Sequence, residues 1–325
     1  MREKFSWHRF IAMPFLLGLF FVAGMPNANA RTSAEKALDF DGDRRADFSV
    51  FRPSNNTFYI ARSSATSTGS FFGVQFGSFD TDRAVPGDYD NDGKGDIAVW
   101  RETTGTFFVL RSSDNTAQTF QFGSFGDEPV QRDYDGDGAT DFAVVRRTGG
   151  NIVWFIRNSK DGSVRIEQFG LDTDTVAPGD YDGDGKFDLA VFRGQSDAQA
   201  TFFVRLSSSS NSNNFTATQF GLGSDLVVPG DYDNDGKTDF AVVRGGTPLT
   251  WFILNSSNGS VSAVQFGLDQ DLITQGDYDG DGKTDISVFR QQTGIFYVLR
   301  STDSGVTQTK FGQNGDIPLA YYNTH

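Results

Sequence analysis

Aspartate occupies positions one, three, five and nine of a nine-residue stretch that occurs six times along the chain. The sets are Asp39, Asp41, Asp43 and Asp47; Asp88, Asp90, Asp92 and Asp96; Asp133, Asp135, Asp137 and Asp141; Asp180, Asp182, Asp184 and Asp188; Asp231, Asp233, Asp235 and Asp239; and Asp277, Asp279, Asp281 and Asp285. Carboxylates crowded into one short loop repel each other, and the turn opens unless a cation fills it. Calcium accepts about 6–8 oxygens at roughly 2.3–2.6 Å in irregular geometry, whereas magnesium demands a strict octahedron and keeps its waters. The chemistry expected of these residues is therefore calcium binding, at up to six sites. The competing reading is an ordinary Asp-Gly hairpin turn without metal. Such a turn has no use for the acid at position nine.

The first half of each loop resembles an EF-hand, with Gly93, Gly138, Gly185, Gly236 and Gly282 at position six, where the chain must turn sharply. The second half does not. An EF-hand needs a bidentate Glu at position twelve and a helix after it. Here position twelve is Val50, Val99, Val144, Val191, Val242 and Val288, each inside an alternating run with the period of a strand. Each loop should join two strands.

The elements that position the loops follow from their spacing. Successive first aspartates lie 49, 45, 47, 51 and 46 residues apart, the size of a propeller blade. One unit, residues 127–170, reads as strand 129–132, the loop, strand 141–146, a Thr148-Gly149-Gly150 turn, strand 152–157, a Lys160-Asp161-Gly162 turn and strand 164–169. That is a four-stranded antiparallel meander. The third strands, such as Val153-Trp154-Phe155-Ile156, are apolar on both faces, so each sheet should be sandwiched between neighbours. Phe76, Phe122, Phe169, Phe220, Phe266 and Phe311 recur before a glycine and should fill the space between blades. Trp154 and Trp251 align with Phe58, Phe107, Phe202 and Phe296 and read as core rather than as sugar-stacking platforms. Two further residues recur in every unit: Arg52, Arg101, Arg146, Arg193, Arg244 and Arg290 end the second strands, and Asp82, Asp127, Asp174, Asp225, Asp271 and Asp316 precede the loops. We expect these aspartates to cap turns and the arginines to pair or stack between blades. At the chain ends, residues 34–38 are a poor version of the Val-x-Pro-Gly lead-in, whereas residues 316–322 copy the lead-in and then stop. The expected fold is all-β: a six-bladed propeller of four-stranded blades, closed by a C-terminal strand that completes the first blade. An open solenoid would need polar caps at both ends.

Composition supports this. The formal charge is −14, with 42 acidic residues, of which 24 lie in the loops. Six bound Ca²⁺ would leave about −2. No basic stripe is present to displace phosphate counterions, so nucleic acid is not an expected partner. Residues 1–30 carry Arg2, Lys4 and Arg9, an apolar run over 10–24, and Ala28-Asn29-Ala30. That order is expected of a secretory signal peptide cleaved after Ala30, which leaves residues 31–325 as a single propeller domain. The apolar run is shorter than the roughly 20 residues a membrane span needs. The protein is thus expected to be extracellular or periplasmic, without stable membrane insertion after cleavage, and monomeric. The chain has no cysteine, and beyond the leader only His325 remains, so relays through Ser-His-Asp or Cys-His and zinc sites of His or Cys are absent.

The combination of Phe-Gly, Pro-Gly-Asp-Tyr-Asp-Gly-Asp-Gly-Lys and Asp-Phe-Ala-Val-Phe-Arg resembles the FG-GAP or VCBS-type repeat family, over residues 39–325. The resemblance implies a calcium-binding propeller related to that of integrin α subunits, with loop positions one, three, five and nine binding by side chain. Position seven would bind through its carbonyl: Arg45, Lys94, Ala139, Lys186, Lys237 and Lys283. Loop one departs from the pattern, with Arg44 in place of glycine. The function expected is a secreted binding or adhesion module for a carbohydrate, an extracellular glycan or a protein surface, and not an enzyme. The alternatives are a polysaccharide lyase or glycosidase, or a purely structural envelope protein. A glycosidase would need two non-repeated carboxylates about 5–9 Å apart, and the glutamates beyond the leader are Glu35, Glu102, Glu128 and Glu167. Variable segments 102–105, 194–200 and 245–248, on the rim opposite the calcium loops, are the expected ligand face, with residues 207–214 next.

Overall fold

The computed structural model describes residues 36–64, 70–209, 211, 213–322. The expected signal peptide lies outside the described residues, and no helix among the described residues is long and apolar enough to cross a membrane. The chain forms six four-stranded antiparallel sheets, each a meander from inner to outer strand. Blade 3 shows the pattern: Glu128–Pro129, Phe142–Thr148, Asn151–Arg157 and Val164–Leu171. In blade 1 the inner strand is Ile317–Pro318, which pairs with Phe48–Arg52, so the C-terminal segment completes the first blade as expected. Inner strands are shorter than the sequence suggests, because the ladder ends where the chain turns into the loop. The hydrogen bonds Val130 N–H to Ala143 O (2.9 Å) and Asp141 N–H to Arg132 O (2.8 Å) continue beyond it.

Alternation along the strands sets the packing. The third strand of blade 3 buries Ile152, Trp154 and Ile156 completely, and Trp154 donates its indole N–H to Phe169 O at 2.8 Å. Trp251 is equally buried, so both tryptophans are core. The six position-twelve valines are at most 2% exposed. Phe169 and Phe266 pack, partly buried, against the blade cores.

The repeated arginines and aspartates pair with each other inside one blade, which corrects the expectation of contacts between blades. Arg146 grips Asp127 with two hydrogen bonds of 2.7 and 2.9 Å, and its guanidinium lies 4.7 Å from the Phe155 ring of the next strand. The other blades repeat the pair as Arg101 with Asp82, Arg193 with Asp174, Arg244 with Asp225 and Arg290 with Asp271. In blade 1 the pair joins the two ends of the chain, Arg52 to Asp316, at 2.8 Å for both bonds. The aspartates also cap turns as expected: Asp127 accepts the Ser124 N–H at 2.8 Å.

Candidate metal centres

Each loop folds around its first aspartate. In loop three, Asp133 accepts the Gly136 N–H at 2.7 Å on one oxygen and the Gly138 N–H at 2.8 Å on the other. Position six is left-handed throughout, with φ between 72° at Arg44 and 92° at Gly138. That is why glycine serves five loops and why Arg44 strains the first. Position nine opens the second strand and is at most 1% exposed in every loop. Its carboxylate is held from two sides: Asp141 accepts the Tyr134 N–H at 2.8 Å and the Ser159 N–H at 2.7 Å.

The residues expected to bind metal converge only in part. In loops one and two, positions one, three and five each place a carboxylate oxygen within 4.8 Å of the other two; in loops three, four and five, positions one, three and nine do so. Oxygens at that separation fit around an ion whose Ca–O distances are roughly 2.4 Å. The Asp182 and Asp233 Oδ1 atoms are buried without a hydrogen-bond partner, although each side chain has a second oxygen bound to a serine. A buried carboxylate oxygen without a donor is costly, and a hard cation satisfies it. The donor set therefore fits calcium. Burial, with smaller contributions from neighbouring aspartates, pushes Asp47, Asp96, Asp141 and Asp188 up to about 7 and Asp180, Asp231 and Asp285 up to about 6. The metal-free loops therefore hold protons on carboxylates that a bound cation would keep ionised.

Two features were missed in the sequence. One is a serine after every third strand: Ser112, Ser159, Ser207, Ser256 and Ser301 donate hydroxyls to the position-five aspartates. Its recurrence at Ser63, Ser112, Ser159, Ser207, Ser256 and Ser301 was a readable signal. The other is a ring of hydrogen bonds between loops. The carbonyl of each first aspartate accepts the N–H of position eight in the following loop, from Gly95 to Asp39 (2.7 Å) through Thr140 to Asp88 (2.6 Å) and onward to Ala46 to Asp277 (2.6 Å), which closes the circle.

Loop one should be the weakest centre. Arg44 in a left-handed turn costs roughly 1–2 kcal/mol, Arg45 adds charge, and the buried Ser63 hydroxyl lacks the bond its counterparts make. Asp43→Ala should therefore lower calcium affinity and melting temperature less than Asp137→Ala; isothermal titration and thermal melts compare them, and a larger loss in Asp43→Ala would reverse the ranking. The described glutamates are each ion-paired, Glu102 with Arg83, Glu128 with Arg147 and Glu167 with Arg205.

The FG-GAP-like repeat family matches residues 133–191 and 231–288. A search of curated proteins gives no match. Among solved structures, TolB from Acinetobacter baumannii is 16% identical with a TM-score of 0.54, over 84% of this chain and 66% of that one. Dihydro-heme d1 dehydrogenase NirN is 12% identical with a TM-score of 0.40, over 84% and 53%. AztD from Citrobacter koseri is 11% identical with a TM-score of 0.43, over 83% and 89%. The chain thus spans just under two thirds of the TolB chain and about half of the NirN chain. The TolB likeness is one of fold.

Proposed function

We propose, from the premise that this chain carries FG-GAP-like repeats on a six-bladed propeller, that it is an extracellular or periplasmic calcium-stapled binding module. Its ligand face is the rim opposite the calcium loops. The supporting observation is the exposure of large apolar side chains on that rim. Phe79 is 45%, Phe125 76% and Leu268 42% exposed, in the turns that follow the outer strands, and Leu226, which opens an inner strand just beyond such a turn, is 52% exposed. Exposed apolar groups on a rigid rim suit a contact surface, and an aromatic face can stack on a sugar ring or an apolar side chain. The calcium loops repeat the same residues from blade to blade and encode no single partner, whereas this rim varies.

Segment 194–200 rises from the same rim, where Ser224 Oγ donates to Asp197 Oδ1 at 3.0 Å and the Gly223 N–H to Ala198 O at 2.9 Å. Shortening it to a two-residue turn should abolish binding to the glycan or surface partner found by an array screen. The calcium-dependent melt should be unchanged. Retained binding would move the ligand face to the calcium rim. Release of reducing ends from a polysaccharide during the same screen would establish the enzyme reading instead.

A further inference from the structure

Clefts open between blades 3 and 4 and between blades 5 and 6, and the two differ in where their cationic side chains stand. The cleft between blades 3 and 4 encloses about 140 Å³ near the calcium rim, with Arg165, Glu167, Phe187, Leu189, Arg205 and Ser207 in its wall. Arg205 stands opposite Leu189 in the ladder. The same register position holds Ala61, Leu110, Arg157, Leu254 and Leu299 in the other blades. Arg165 stands opposite Ile156, where the other blades place Phe72, Gln118, Thr216, Ser262 and Thr307. Two arginines therefore meet across this cleft from facing strands, whereas the cleft between blades 5 and 6 has Ser262 and Leu299 in their places and its cations at Lys283 and at Arg300, which is paired with Asp303.

Arg205 is held in place by the facing blade, whereas Arg165 keeps a donor unused. The Arg205 side chain is only 8% exposed. It donates to Glu167 Oε2 at 3.1 Å and Gln168 O at 3.3 Å, and its guanidinium lies 5.0 Å from the Phe169 ring. Arg165 reaches Tyr134 O at 3.4 Å, and its Nε is buried with no hydrogen-bond partner. Burial lowers the proton affinity of Arg205; Glu167 opposes this and the like charge of Arg165 adds to it. Two guanidiniums and one carboxylate leave a net single positive charge.

We propose that this cleft binds the carboxylate of a uronic acid sugar, with Arg165 and Arg205 as the anion-binding pair. Guanidinium is the group that takes a carboxylate through paired N–H donors. A monoanion neutralises the cleft. A phosphate dianion would leave it negative beside the fourth calcium loop, to which Ser207 is bonded through Asp184 and Asp188. The volume is below the roughly 300–1,000 Å³ of whole small-molecule sites, so it suits one sugar unit of a longer chain. Phe187, Leu189 and Leu206 offer an apolar wall for the ring, and Glu167, Ser207 and Ser209 offer partners for its hydroxyls. This cleft lies away from the proposed ligand rim and does not depend on it.

The test is titration of the calcium-loaded full chain with D-glucuronate, D-glucose, acetate and inorganic phosphate. D-Glucuronate should bind at millimolar concentration or below and at least tenfold more tightly than each of the others. Arg205→Leu and Arg165→Gln install residues that other blades already carry, and each should weaken D-glucuronate at least tenfold, Arg165→Gln with an unchanged melting temperature. If Arg205→Leu fails to fold, Arg165→Gln on the more exposed outer strand carries the test. The proposal is overturned if D-glucuronate does not bind, if D-glucose or acetate matches it, if phosphate binds more tightly, or if Arg165→Gln binds D-glucuronate as the parent does.

Discussion

Removal of calcium should lower the melting temperature by tens of degrees at pH 8 and by far less at pH 5. Binding to the native state alone stabilises it by about 2.7 kcal/mol per site when free calcium is a hundred times Kd. Six independent sites at that level contribute about 16 kcal/mol, comparable to the roughly 5–15 kcal/mol that holds a typical domain together. The pH dependence follows from the position-nine aspartates. In the metal-free protein Asp47, Asp96, Asp141 and Asp188 are held up at about 7, against roughly 3.9 in an unfolded chain. Between those values the folded state binds more protons than the unfolded state, so metal-free stability is greatest at low pH and falls as pH rises from about 4 to about 7. Calcium takes the place of those protons. The loaded protein should therefore lose stability on acidification, as protons compete for the same oxygens. Melts at pH 5, 6, 7 and 8, with chelator and with millimolar calcium, should give slopes of opposite sign. Parallel profiles, or coincident melts at pH 8, would falsify the metal assignment.

The hydrogen-bond ring makes the loss cooperative. Each loop donates to its neighbour through position eight and accepts through the carbonyl of position one, from Asp39 round to Asp277. Opening one loop thus loosens the blade on each side. Little of this ring was legible in the sequence, because backbone groups carry it and position eight is Ala46, Gly95, Thr140, Phe187, Thr238 and Thr284, with no shared chemistry. The loops themselves were legible because their carboxylates must stand at fixed spacing, and the second and third strands because alternation exposes one face to each neighbouring blade. Inner strands such as Glu128–Pro129 were less so: two residues are too few to show a period. The pairing of Arg146 with Asp127 could have been inferred, since its 19-residue separation recurs in five blades. It was missed because repetition alone does not say whether a pair lies within a blade or between two. The arginines of the blade 3–4 cleft were hidden for a different reason. Arg165 and Arg205 are 40 residues apart, and only the ring brings their strands face to face.

Deleting residues 316–325 should open the propeller, with a fall in melting temperature of about 10 °C or more and self-association through the uncovered edge. The deletion removes the inner strand Ile317–Pro318 that pairs with Phe51 and Val50. It also removes Leu319, which is fully buried, and Ala320. Burial of a leucine contributes about 1.5–3 kcal/mol. Loss of Asp316 leaves the Arg52 guanidinium over the Tyr59 ring without its carboxylate. Among the described residues the ring then closes through the Ala46 to Asp277 hydrogen bond and the side-chain packing between blades 6 and 1. That closure spans far more chain than any other. The Arg52 and Asp316 pair closes 264 residues, against 19 in each other blade, which costs about 2 kcal/mol more in chain entropy. The ion pair alone does not offset this, so the strand, Leu319 and the pair must act together. Asp316→Ala should accordingly cost less than the deletion, but more than a few tenths of a kcal/mol. At about 2–4 °C per kcal/mol for a protein of about 150–250 residues, and less for a longer chain, the deletion and the point variant are separable by thermal melt, and light scattering reports the exposed strand. A truncated protein that remains monomeric and melts with the parent would show that the ring holds without its C-terminal strand.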